Sequence, residues 1–163
     1  NLVVERSVTL MTHQLQLAQT GLIQALDPQL PEVQCDAGQI QQVLIVLLAN
    51  ASEALGKGGE ITIRTSRLPD AEGVILSVKD NGPGIPQTIQ NQIFEPFFST
   101  KDNQHRTGLG LAVAKGIIDR HGGTITVRSE PGHGAEFVVQ LPMNAPLEPA
   151  QTPIPATAQG TAQ

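Results

Sequence analysis

The stretch Val78-Lys79-Asp80-Asn81-Gly82-Pro83-Gly84-Ile85-Pro86 decides the reading of this chain. Two further segments go with it, Ile93-Phe94-Glu95-Pro96-Phe97-Phe98-Ser99-Thr100-Lys101 and Thr107-Gly108-Leu109-Gly110-Leu111. Taken alone, Asp80-Asn81-Gly82 is a hairpin turn, which demands a second strand at once. Instead the chain continues with Pro83-Gly84-Ile85-Pro86 and then residues 87–93, which read as a short helix, so the hairpin loses. A carboxylate fixed at a strand end can accept a hydrogen bond from an exocyclic amine, and Gly82 and Gly84 let backbone pass close to a flat ring. Adenine carries such an amine.

Gly108-Leu109-Gly110 opening a helix is a weak signal by itself. With Lys101, His105 and Arg106 upstream, it brings free backbone N–H groups and positive charge to where a phosphate chain would sit. The bland alternative for the three cations is a solvated charged loop. A P-loop is excluded because no Gly-x-x-x-x-Gly-Lys-Ser/Thr occurs, and the dinucleotide-binding glycine pattern fails at Val113.

Outward from this core, 163 residues with 39% hydrophobic content suit one domain with a sizeable core. Aromatics are 2%, so that core rests on Leu, Ile, Val and Ala, as helices packed on a sheet would have it. The net charge of −5 disfavours a nucleic-acid partner, which needs a basic footprint. The single Cys35 cannot form an internal bridge and fits a reducing compartment. No apolar run reaches the roughly 18 residues of a membrane span, which points to a cytoplasmic domain while leaving room for a parent anchored in the inner membrane.

Periodicity supplies the elements. Val4, Val8, Met11, Leu15 and Ala18 fall at helical steps over residues 1–18, and Leu22, Leu26, Val33 and Cys35 suggest two short strands over residues 21–36. Residues 38–55 form a helix whose stripe is Ile40, Val43, Leu44, Leu47, Leu48, Ala51, Ala54 and Leu55, stopped by Gly56-Lys57-Gly58-Gly59. Four period-two runs read as strands: Ile61, Ile63 and Thr65; Val74, Leu76 and Val78; Ile125 and Val127; Phe137, Val139 and Leu141. A further helix spans residues 108–121, with Val113, Ala114, Ile117 and Ile118 inward and Gly122-Gly123 as its stop. His121 reads as a helix C-terminal histidine meeting the dipole, and His133 as a turn residue. The fold class is α+β, a two-layer sandwich of a mixed, mostly antiparallel sheet with helices on one face. Residues 143–163, rich in Pro, Ala, Gln and Thr, read as a disordered tail or linker after a domain at 1–142.

Asn50 resists a packing explanation. It lies about 20° around the helix from Val43, so an amide interrupts the apolar face. An unpaired buried amide costs roughly 1–3 kcal/mol. It either ties down a loop backbone or supplies an oxygen to Mg²⁺, a hard ion. Glu53, one turn on, reads as a solvated carboxylate.

In order and spacing these motifs resemble the catalytic ATP-binding domain of bacterial two-component sensor histidine kinases, across residues 1–142. The resemblance implies the Bergerat ATP-binding fold. Residues 36–55 are similar to the N box, with Asn50 at its magnesium-binding asparagine. Asp80, Gly82 and Gly84 match the first glycine box, beside Ile85. Phe94, Phe97 and Phe98 match the F box, and residues 99–107 would be a short ATP lid including Lys101 and Thr107. Gly108, Leu109, Gly110 and Leu111 match the second glycine box, and Gly132-His133-Gly134 the closing turn. The short lid and the Phe-Glu-Pro-Phe-Phe-Ser-Thr-Lys wording resemble nitrogen-regulation kinases.

Two departures stand out. Val46 replaces an asparagine one turn before Asn50, the position where gyrase, mismatch-repair and heat-shock relatives place a water-activating glutamate; valine cannot be a general base, so hydrolysis as the main activity is disfavoured. Ala135 stands where the family often has a hydroxyl. The implied activity is transfer of the γ-phosphoryl group of Mg-ATP to a histidine on a separate dimerisation and phosphoacceptor domain, then signalling through a cognate response regulator, in a homodimeric full-length protein. His13 lacks the flanking residues of a phosphoacceptor box, so the acceptor is not in this chain. A related serine kinase of a regulatory protein, and a non-catalytic nucleotide-binding or docking module, are the alternatives.

Overall fold

In the computed structural model, which describes residues 1–69, 72–98 and 108–144, the period-two runs become one sheet. The elements are α1 (Leu2–Leu17), β1 (Gly21–Ala25), α2 (Ala37–Leu55), β2 (Glu60–Arg67), β3 (Gly73–Asp80), a single 3-10 turn at Gln92–Phe94, α3 (Gly110–Arg120), β4 (Thr124–Ser129) and β5 (Ala135–Pro142). The strand order is β1-β2-β3-β5-β4, with β1 parallel to β2 and the remaining neighbours antiparallel. Ile61, Ile63, Leu76, Val78, Phe137 and Val139 face the helices and join one core with α1, α2 and α3. The α+β sandwich expected from the pattern is the fold found.

Helix α2 is the centre of the helical layer. Asp36 caps its N-terminus, its Oδ1 accepting from the Gly38 and Gln39 amides at 2.9 and 3.0 Å. These bonds hold the Asp36 carboxyl below the usual carboxylate value, the Gln39 amide contributing most. Leu44, Leu47 and Leu48 are fully buried. Each such side chain contributes about 1.5–3 kcal/mol, so burial outweighs helix propensity in holding α2. Gly56, at φ +72°, ends the helix with its N–H on the Ser52 carbonyl.

Several expectations need correction. The second of the two strands expected within residues 21–36 reduces to one bridge, Gln34 to Asn144, because the chain turns at Asp27-Pro28 and meets only a single residue of the sheet's far end. Residues 87–93 hold turns that tighten into 3-10 geometry at Gln92–Phe94, where Gln92 and Ile93 both bond to the Ile89 carbonyl. Helix α3 begins at Gly110, and its Val113 is 41% exposed, off the buried face of Ala114, Ile117 and Ile118. On α2 the stripe stops short, since Ala54 is exposed while Ser52 is buried. Met143 and Asn144 belong to the fold, Met143 donating to Glu72 and accepting from Gln34. The tail beyond them, residues 145–163, lies outside the described residues.

His121 does more than meet a dipole. It is 3% exposed, its Nδ1 lies 2.8 Å from the Ile117 carbonyl, and its Nε2 accepts from the Asp36 N–H at 3.1 Å. Donation from Nδ1–H leaves Nε2 as the acceptor, so one unprotonated nitrogen ties the end of α3 to the start of α2.

The turn between β4 and β5 presses on the end of β3. Gly134, at φ +78°, has its missing side chain directed at the Asp80 carbonyl, so any β-carbon there would overlap that oxygen. Gly132, at φ +84°, faces open space. Gly132→Ala is therefore expected to cost only the left-handed backbone penalty of about 1–2 kcal/mol, and Gly134→Ala clearly more, read as the difference between their denaturant midpoints. Equal midpoints would show that the turn does not bear on β3.

Candidate nucleotide site

Asp80 is the last residue of β3 and is 3% exposed. Strand alternation puts Val74, Leu76, Val78 and Asp80 on the helix-facing side, so a carboxylate ends an otherwise apolar row. Its Oδ1 accepts from the Gly82 N–H at 2.8 Å. A β-carbon on Gly82 would sit 2.8 Å from that oxygen, which is why the position takes glycine. Burial holds the Asp80 carboxyl above the usual carboxylate value, opposed by the amides of Gly82 and Ala135. Among the described residues no side-chain donor bonds to it.

The loop after Asp80 is fastened to the β4–β5 hairpin. Gly132 N–H donates to Pro83 O at 2.7 Å, and Ile85 N–H donates to Ser129 Oγ at 2.8 Å. Ser129 Oγ–H in turn donates to Gly134 O at 2.6 Å. Gln90 Nε2 donates to both Ile85 O and Ser129 O, at 2.8 and 2.9 Å. Gly84, at φ +75°, would drive any β-carbon into the Glu130 carbonyl. Its expected role in admitting a flat ring is thus joined by a demand of the fold. Ser129 and Gln90 were not singled out by the sequence, because the bonds that join loop to hairpin, Ile85 to Ser129 and Gln90 to Ser129, span 44 and 39 residues.

Helix α2 sets the spacing of the remaining parts. At its C-terminal end, Gly82 lies against Leu55 and the Ala54 carbonyl carbon, a β-carbon there being 3.5 and 3.7 Å from them. Two turns earlier, Val46 Cγ1 would be 3.3 Å from a β-carbon on Gly110 at the start of α3. Asn50 lies midway, half-buried, and among the described residues its side chain has no hydrogen-bond partner. One helix therefore carries the carboxylate loop, the free amide and the N-terminus of α3 along about 12 Å of its length. Glu53 is half-buried and engaged, so it is not simply a solvated carboxylate.

Among the described residues no side chain caps the N-terminus of α3, so none of them takes up its first-turn amides. Leu111 packs on the core beneath it, as do Ile85 and Phe98. Gly108, at φ +63°, accepts from Phe97 N–H at 3.1 Å, and a β-carbon on it would meet Phe97 C and Phe98 O, each at 2.7 Å. Phe98 and Gly108, which flank residues 99–107, are thereby held together. Phe97 itself adopts φ +66° and is 76% exposed, whereas Phe94 is packed edge-on to Phe137 at 6.3 Å. Lys101 and Thr107, with Ser99, Thr100, His105 and Arg106, lie outside the described residues. The structure thus sets Gly82 and Gly110 against one stretch of α2 that carries Asn50, with Asp80, Gly84 and Ile85 in the loop of Gly82, Leu109 and Leu111 beside Gly110, and Gly108 against Phe98. A polar groove lined by Lys79, Gln90, Arg128, Glu130, His133 and Glu136 adjoins the same β4–β5 turn, sharing Ser129, Gly134 and Ala135 with it, while Lys79 and Glu136 alternate to the opposite side of their strands from Asp80.

This geometry has known counterparts. The family described as histidine kinase-, DNA gyrase B-, and HSP90-like ATPase matches residues 35–145. The sensory histidine kinase/phosphatase NtrB of Klebsiella oxytoca is 43% identical over 150 residues, 86% of this chain and 42% of its own length. The nucleotide-free catalytic domain of the histidine kinase ThkA superposes with a TM-score of 0.79 at 33% identity, over 88% of this chain and 92% of that one. Full-length ShkA in complex with AMPPNP superposes with a TM-score of 0.78 at 29% identity, over 88% of this chain and 30% of that one. The chain belongs to the histidine kinase-, gyrase B- and HSP90-like ATPase family, on its sensor histidine kinase branch. It spans less than half the length of curated relatives such as NtrB. No helix among the described residues is long and apolar enough to cross a membrane.

The raised Asp80 value has a pH consequence. A carboxyl whose folded pKa lies above 3.8 contributes stability that is full below 3.8 and lost as pH rises through the folded value. Asparagine at 80 has no such titration. The parent should therefore gain thermal stability relative to Asp80→Asn as pH falls from 7 through that window, read from paired melting curves. A gap that stays constant, or moves the other way, would contradict the burial of an ionisable group at this position.

Proposed function

We propose that this chain binds Mg-ATP and transfers its γ-phosphoryl group to a histidine on a separate dimerisation and phosphoacceptor domain. The observation that carries the reading is the spacing along α2, where a buried lone carboxylate, a free amide and an uncapped helix N-terminus share one wall. The adenine amine would meet Asp80, between the Gly82–Gly84 loop and the apolar side chains of Ile85 and Phe98. The β and γ phosphates would meet the amides of Gly108, Leu109, Gly110 and Leu111, with Lys101 and Thr107 supplying charge and a hydroxyl.

Mg²⁺ fits the donor set. Among the described residues no cluster of three His, Cys, Asp or Glu could form a protein cage, and the free Asn50 amide offers a hard oxygen. Mg²⁺ typically takes one or two protein oxygens and fills its shell with water and phosphates. Bound there it would supply charge neutralisation for the phosphates. The chain's own residues position and desolvate the nucleotide, which is most of what phosphoryl transfer requires. In the transfer itself the acceptor nitrogen forms a bond to the γ phosphorus as the bond to the bridging oxygen breaks, and ADP departs.

Transfer is favoured over hydrolysis by Val46, whose methyl group packs toward Gly110 where a water-activating base would have to stand. Among the described residues no histidine suits the acceptor role. His121 is tied on both nitrogens, and His13 and His133 are exposed on a helix and a turn with no acidic partner bonded to them. The acceptor would come from another domain, in a homodimeric parent whose phosphohistidine then serves a response regulator.

Incubation with Mg-ATP and a supplied phosphoacceptor domain tests the reading. The expected product is acid-labile phosphohistidine on the added domain. Asp80→Asn should weaken ATP binding by about 10- to 150-fold, the value of one hydrogen bond to a charged group. Asn50→Ala should lose transfer more than binding. An acid-stable phosphoserine would instead favour a kinase of another class.

A further inference from the structure

A buried histidine with both ring nitrogens satisfied is ordinarily a core residue. His121 is 3% exposed and satisfied in this way, with Nδ1 on the Ile117 carbonyl and Nε2 accepting from the Asp36 N–H. It nevertheless joins the two helices that carry the groups assigned to the phosphates. Asp36 opens α2, which holds Asn50, and His121 closes α3, which begins at Gly110.

The two helices share a core through Leu47, Ala114 and Ile118 and are pinned near both ends. At one end Val46 lies against Gly110, and at the other the His121 ring meets the Asp36 amide at 3.1 Å. About 15 Å of α2 separates Asp36 from Val46, and a similar length of α3 separates Gly110 from His121. The Val46 contact is apolar and non-directional, so it resists approach without opposing a tilt or a slide. A hydrogen bond has a direction, and a buried one is expensive to leave unmade. Among the described residues the other polar contact between the helices, Arg120 Nη2 to Gln39 Oε1, is exposed and long at 3.3 Å. Gly123, whose missing side chain faces the Gln140 carbonyl, seats this end of α3 on β5, so the ring holds α2 from a firm base.

We propose that His121 is a positioning residue for phosphate binding, its bond to Asp36 setting the tilt of α3 against α2 and so the place of the Gly110 amides relative to Asn50. The inference rests on the reading that phosphates lie between Asn50 and the start of α3. Asp80 and its loop are fastened to the β4–β5 hairpin and not to His121, so the base end of the site is independent of this tie. Loss of the ring bond therefore acts on the β and γ phosphates and spares the base. A residue that merely stabilised the fold would affect both ends alike.

Titrations followed by amide NMR shifts test this, with Mg-ATP and with AMP, on the parent, His121→Ala, His121→Gln and Asp80→Asn. AMP keeps the base and lacks the β and γ phosphates. The expected result is Mg-ATP weakened about three- to tenfold in His121→Ala, the worth of one hydrogen bond, with AMP changed less than about twofold. His121→Gln, whose carboxamide carries a donor beside an acceptor, should recover most of the ATP affinity. Coupling is reciprocal, so saturating Mg-ATP on the parent should slow hydrogen exchange of the Asp36 amide by the same factor, and AMP should not. That measurement decides the matter if His121→Ala does not melt cooperatively. ATP unchanged, ATP and AMP weakened equally, a folded His121→Gln without recovery, or an Asp36 amide indifferent to Mg-ATP would each overturn the inference. Asp80→Asn weakening both nucleotides would then leave the site reading standing, whereas Asp80→Asn weakening neither would overturn that reading as well.

Discussion

The end of β3 is held by the turn between β4 and β5, and the site depends on that contact. Gly134 can lie on the Asp80 carbonyl only because it has no side chain. That approach sets the neighbouring Ala135 amide toward the Asp80 carboxyl from one side while Gly82 bonds it from the other. Backbone amides thus stabilise a charge that burial opposes, and the balance leaves the carboxyl above its ordinary pKa. A buried carboxylate bonded only by amides among the described residues retains accepting capacity for a ligand donor. The same turn fastens the loop after Asp80 through Ser129 and Gln90, so carboxylate and loop are positioned as one unit.

Helix α2 converts this local arrangement into a site with length. Its leucines bind it to the sheet, its N-terminus is tied to α3 through Asp36 and His121, and its middle abuts Gly110. The distance between the carboxylate loop and the start of α3 is therefore fixed by two helical turns and not by loop conformation. A rigid element holding separated groups at set spacing is what positioning catalysis needs. Strain is concentrated nearby, at Phe97, whose left-handed backbone is unusual for an aromatic residue and whose ring is largely exposed.

Much of the fold was legible because burial imposes period. The four runs from Ile61 to Leu141 alternate cleanly, and α2 keeps its stripe across most of its length. The failures occur where period is short or tertiary contact decides. Val33 and Cys35 had too few neighbours to distinguish a strand from a single bridge, and Val113 lies about 90° around α3 from its buried face, at the edge where either outcome fits. Asp80 was legible because a hairpin at Asp80-Asn81-Gly82 is incompatible with the two prolines at 83 and 86, and Asn50 because an amide broke an apolar stripe. Ser129 and Gln90 were not, since the bonds by which they join the loop to the hairpin span 44 and 39 residues. His121 was legible as a helix end but not as a link to Asp36, 85 residues away.

The central claim is that the buried carboxylate of Asp80 receives the base of a nucleotide whose phosphates run along α2 to the start of α3. A crystal structure of this chain with a non-hydrolysable ATP analogue and Mg²⁺ tests it most directly. The account predicts the exocyclic amine about 3 Å from an Asp80 carboxylate oxygen, with the phosphates beside Asn50 and the amides of residues 108–111. A base lodged away from Asp80, or phosphates directed away from α3, would contradict it.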